Sequence, residues 1–72
     1  MKIYVVVGSF EHIDHVNRKR VIEVKVLEVF CNTRAYAEAY WHETVMAEQP
    51  TAQFIKIDMV CGPYLVIEGE KE

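Results

Sequence analysis

Residues 32–50, NTRAYAEAYWHETVMAEQP, form the one segment whose spacing admits a single reading, an amphipathic helix. Asn32 is a good N-cap, with a side-chain oxygen free to accept from the first unpaired amides, and no glycine or proline follows until Pro50 ends the run. At about 100° per residue, Tyr36, Ala37, Tyr40, Trp41, Thr44 and Ala47 fall on one broad stripe, wide enough to cover a sheet. Roughly opposite lie Ala35, Ala39 and Met46, flanked by Glu38, His42 and Glu43. Small residues there permit close approach by another helix and methionine adapts to irregular partners, so this back face is a candidate partner-binding surface. Alanine also sits on exposed helix faces simply because it is the strongest helix former.

On either side of the helix the chain reads as strand. Lys2 to Ser9 is rich in β-branched residues, with Ile3, Val5 and Val7 on one side and Tyr4, Val6 and Gly8 on the other. Apolar character on both sides predicts a central strand. From Val21 to Phe30, Ile22, Val24 and Val26 alternate with Glu23 and Lys25, after which Leu27 and Val29 continue in the opposite phase. That change predicts a β-bulge near Val26 and Leu27. If this strand lies at an edge it can pair with a partner strand or with its own copy, with Glu23, Lys25 and Glu28 as gatekeepers. Thr51 to Cys61 sets Ile55, Ile57 and Met59 against Lys56 and Asp58, giving a third strand with one wet face. Gly62 and Pro63 predict a turn, and Tyr64 to Ile67 a short fourth strand or apolar tail. The predicted architecture is α+β, a small two-layer sandwich of order β-β-α-β(-β), with one helix on a mainly antiparallel sheet. A third strand beside the first is expected to run parallel to it across the helical crossover. Residues 1–67 then make one domain, and residues 68–72 a frayed acidic tail.

Composition narrows the function classes. With 72 residues, 51% of them hydrophobic and 26% charged, the chain is near the lower size at which one apolar core outweighs chain entropy, and oligomerisation would relieve that balance. A net charge of -3 has the wrong sign for general phosphate binding and argues against direct nucleic-acid binding. No run approaches the roughly 20 apolar residues of a membrane span, and Ile3 to Val7 is too short for a signal peptide. Cys31 and Cys61 read as reduced thiols, and the expected location is the cytoplasm. Gly8, Gly62 and Gly69 are isolated, so there is no phosphate-cradling loop, and no cofactor is implied. Cys31, at a strand-to-helix junction, lacks a local base because His42 lies about two and a half turns along the helix. No catalytic signature is present, and the expectation is a non-enzymatic protein.

Chemistry-bearing side chains concentrate between Phe10 and Arg20, a segment read as a long hairpin loop or as strands extended into an arm. Glu11, His12, Asp14 and His15 have donors suited to zinc, provided the loop makes one helical turn, but a solvated hairpin tip explains them as well. No residue is therefore assigned to a metal. His12, His15, Arg18, Lys19 and Arg20 could gather against an anionic group such as a nucleotide signal held between subunits.

The opening strand MKIYVVVG, the phrase EVFCNTRAYAEAY and the later strand FIKIDMV together resemble very short bacteriophage and prophage accessory proteins of β-β-α-β layout. The resemblance covers Met1 to Val60 and includes the Ala-Glu-Ala-aromatic phrase at Ala37, Glu38, Ala39 and Tyr40. Many such proteins are uncharacterised, and some are host-defence inhibitors such as anti-CRISPR proteins. No functional residue transfers from them. The resemblance implies an inhibitor in the host cytoplasm that blocks a larger protein by occlusion, with homodimers or higher oligomers as a further expectation.

Overall fold

The computed structural model describes residues 2–67, and the acidic tail at 68–72 lies outside them. Three 13-residue strands, β1 (Lys2–Asp14), β2 (Lys19–Cys31) and β3 (Gln53–Leu65), and one helix, α1 (Arg34–Glu48), follow in the order β1-β2-α1-β3. The sheet order is β2-β1-β3, and both pairings are antiparallel. The chain is thus the expected α+β sandwich, with Lys2 to Ser9 in the central strand.

Strand β3 does not run parallel to β1, as the crossover argument predicts. β1 and β2 are already antiparallel, so the helix returns the chain to start a strand parallel to the one it left. That strand is β2, and β3 takes the free side of β1.

The helix is capped one residue later than the sequence suggests. Cys31 still belongs to β2, Asn32 makes the bend, and Thr33 sits in extended backbone with its Oγ1 accepting from Tyr36 N–H at 3.2 Å. At the other end Gln49 N–H donates to the Val45 carbonyl at 2.8 Å. Pro50 then disfavours helical backbone at Gln49, and the helix stops.

Only Ala37, Trp41 and Val45 are buried along the helix, against Tyr4, Val6, Phe10 and Val29 of the sheet. The true stripe is this narrow i, i+4 row, because a helix crossing a three-stranded sheet presses one line of side chains into it. Tyr36 and Tyr40 remain about half exposed beside it and Ala47 is exposed, a correction to the broad stripe. The Trp41 ring lies over Gly8, and its Nε1–H donates to the Lys25 carbonyl at 3.1 Å.

The expected bulge at Val26 and Leu27 does not exist. β1 and β2 pair without a break from Lys2 opposite Cys31 to Asp14 opposite Lys19. The apolar pattern changes phase because Leu27 and Val29 face the helix, whereas Ile22, Val24 and Val26 face the opposite side of an unbroken strand.

The irregularities are in β3, whose register against β1 shifts three times. Phe54 adopts a positive φ of 54° at one shift, and Gly62 takes φ 111° at another. Glycine tolerates that backbone without a Cβ clash, so the chain passes through Gly62 and Pro63 as a strand irregularity. β3 therefore continues to Leu65, and the predicted turn and fourth strand are replaced by one long strand.

Candidate interaction surface

One face of the sheet carries the helix, and the other carries nothing among the described residues. Strand alternation and the registers assign the open face: Ile3, Val5 and Val7 on β1, Val24, Val26, Glu28 and Phe30 on β2, and Met59, Cys61 and Tyr64 on β3. The β1 row is half-buried between its neighbours. Val24 is 62% exposed, Val26 56%, Phe30 54% and Met59 52%, values that would be near zero in a covered sheet. Scattered apolar residues on a surface are ordinary, but these adjoin one another across three strands. Glu28 is the one charge among them. Sequence reasoning missed this surface, although one signal was available: β1 is apolar on both sides, and the chain supplies one helix to cover them.

Tyr36 and Tyr40 stack at a centroid distance of 6.4 Å beside this surface, and with Glu28, Val29 and Phe30 they line a shallow groove at the β2 edge. A second depression of about 290 Å³ lies between Ser9, Phe10, Glu11, Ile22, Phe54 and Lys56.

The predicted helix-back residues are separate from both. Ala35, Ala39, His42 and Glu43 are exposed, Met46 is 40% exposed, and Glu38 is half-buried, accepting from Arg34 Nε at 2.9 Å. None of them lines either of these two depressions.

The segment from Phe10 to Arg20 is mostly strand, an arm that contributes to the molecule's 51 Å long axis. Strand alternation therefore puts Glu11 on the open face and His12 and Asp14 on the helix side, instead of gathering all three on one helical turn. No group of three or more potential metal ligands is gathered among the described residues. His12 Nε2 lies 2.9 Å from Glu23 Oε1, and Arg20 Nε lies 3.6 Å from Glu11 Oε1. Two of the five proposed anion-binding groups thus already face carboxylates, and Lys19 and Arg20 point to opposite faces. His15 and Arg18 are in the exposed tip, where Arg18 has φ 57° and its N–H donates to the Asp14 carbonyl at 2.6 Å.

Asp14 organises this tip. Its Oδ2 accepts from Asn17 Nδ2 at 2.9 Å and its Oδ1 from Val16 N–H at 3.0 Å, and the first of these, then the second, holds the carboxyl below its ordinary value of 3.8. Because the folded value is the lower one, the contribution of Asp14 to the turn is complete above the ordinary value and is lost as pH falls through the folded one. An NMR titration should place its midpoint below 3.8, and Asn17→Ala should move it upward.

Cys31 Sγ donates to the Thr33 carbonyl at 3.2 Å on the helix side, whereas Cys61 pairs with Val5 in the open-face row, and both are free thiols. No helix among the described residues is long and apolar enough to cross a membrane. No family model matches this chain, and neither a curated protein nor a solved structure matches it significantly.

Proposed function

We propose that the chain is a non-enzymatic protein-interaction module that works through the open face of its sheet. The observation carrying this is the contiguous apolar surface of Val5, Val7, Val24, Val26, Phe30 and Met59, which no other element among the described residues covers. Three strands of 13 residues, about 4.8 Å apart and rising about 3.3 Å per residue, present a face on the order of 600 Å². A standard protein complex buries about 800 Å² on each side, so this face is a large part of one interface. Its occupant is a protein with a flat apolar surface, since a sheet offers no deep pocket for a small molecule. Following the resemblance to phage accessory proteins, the partner is a host-side protein, and the mode of action is inhibition by occlusion.

The test is substitution on the half of the face remote from β2. Met59→Lys with Tyr64→Lys changes two residues that are each more than half exposed, so each should alter stability by no more than about 0.5 kcal/mol. The same pair places two charges in the apolar contact and should remove at least about 2 kcal/mol of partner affinity, roughly thirtyfold. Isothermal titration with the purified partner checks this.

A further inference from the structure

We infer that the chain forms a two-fold dimer by antiparallel pairing of β2 with β2 of a second copy, in the register that puts Val24 opposite its own counterpart. Among the described residues, β2 is an edge strand of 13 residues, paired on one side with β1 and on the other with no strand. Such an edge offers a row of backbone donors and acceptors to another strand.

The charges along this edge choose the partner. With Val24 on the two-fold axis, Arg20 of each copy stands opposite Glu28 of the other, and Glu23 stands opposite Lys25. Within its own chain Arg20 lies 3.6 Å from Glu11, Glu23 lies 2.9 Å from His12, and Lys25 Nζ lies 2.8 Å from Glu48, so that the new pairs extend existing ones. Ile22 then meets Val26, and Val21 meets Leu27. Each pair has matching parity and shares a face of the combined sheet: Arg20 and Glu28 on the open face, Glu23 and Lys25 on the helix face. Within β2, no other antiparallel self-register joins two different opposite-charge pairs. Centring on Glu23 or on Lys25 sets like charges against each other. Charges on an edge ordinarily discourage pairing. Here the same charges discourage misaligned copies and favour one register.

The ends of the edge agree with this register. Lys19 of one copy arrives opposite Val29 of the other, beside the groove that Tyr36 and Tyr40 line. Aromatic faces attract such cations. The result is a continuous six-stranded sheet whose open face is on the order of 1,200 Å², above the 800 Å² or so that a standard interface needs from one side. This assembly extends the proposed function but does not depend on it.

Sedimentation equilibrium of the full chain tests the register. The wild type should show a concentration-dependent dimer. Arg20→Glu alone, or Glu28→Arg alone, creates two like-charge pairs by symmetry and should weaken the dimer about tenfold or more. The double variant Arg20→Glu/Glu28→Arg restores opposite charges across the axis and should return the dissociation constant to within about threefold of the wild type. Lys56→Glu, on the opposite edge strand, should leave it unchanged. All three substituted residues are exposed, and circular dichroism verifies that each of the four variants folds. A wild type that stays monomeric, single variants that dimerise normally, a double variant that is not restored, or sensitivity to Lys56→Glu would each overturn the inference. Because Met59→Lys/Tyr64→Lys leaves β2 intact, loss of partner binding in that variant and loss of dimer here are separate results.

Discussion

Replacing Trp41 by alanine should cost about 3–5 kcal/mol, a large share of the 5–15 kcal/mol that stabilises an ordinary domain. Trp41 is fully buried, stands at the middle of the Ala37, Trp41, Val45 row, and gives the helix its main purchase on the sheet. Its removal leaves a cavity between two layers that have few other contacts, and orphans an acceptor at the Lys25 carbonyl. A domain of this size loses about 4–8 °C of melting temperature per kcal/mol, so the variant should be largely unfolded near 37 °C. Guanidinium denaturation followed by circular dichroism measures the effect, and a loss below about 1 kcal/mol would mean that the helix is held by something other than this row.

Gly8→Ala should be nearly as damaging for the opposite reason. A Cβ at Gly8 would overlap Cζ2 of Trp41 and lie 2.5 Å from the Lys56 carbonyl oxygen. Overpacking of this kind costs about 1–3 kcal/mol, and more when one of the atoms belongs to a neighbouring strand's backbone. Adding Trp41→Leu removes the ring but not the carbonyl, so the double variant should be more stable than the sum of the two single effects predicts while staying below Trp41→Leu alone. Strict additivity in equilibrium denaturation would show that glycine is not required there by the indole.

The same two residues show how much of this fold was legible. A helix with one tryptophan, a strand apolar on both sides and a lone glycine within that strand all point to a helix laid across a central strand, and that arrangement is found. The parts that were not legible depend on cover, which no periodicity encodes. Ile22, Val24 and Val26 form an apolar row indistinguishable from a core row in the sequence, yet they face outward because α1 lies on the other side. The phase change at Leu27 marks where the helix begins to cover β2, not a bulge. In β3, Met59 was grouped with Ile55 and Ile57, but the register shift near Asp58 turns it to the open face. For the candidate site, the helix back is exposed apart from half-buried Glu38, whereas the larger apolar surface on the sheet is made of residues that periodicity alone cannot tell from core. The histidine and carboxylate cluster loses its convergence because β1 puts Glu11 on the open face and His12 and Asp14 on the helix side, with His15 beyond the strand end.

The central claim is that the uncovered sheet face, and not the outer face of the helix, is the working surface. Calorimetric titration of the purified partner against two double variants decides it. Met59→Lys/Tyr64→Lys should lose partner affinity by roughly thirtyfold, and Ala39→Glu/Met46→Glu should bind as the wild type does, with both variants folded. Intact binding by the sheet variant, with binding lost in the helix variant, would contradict the account.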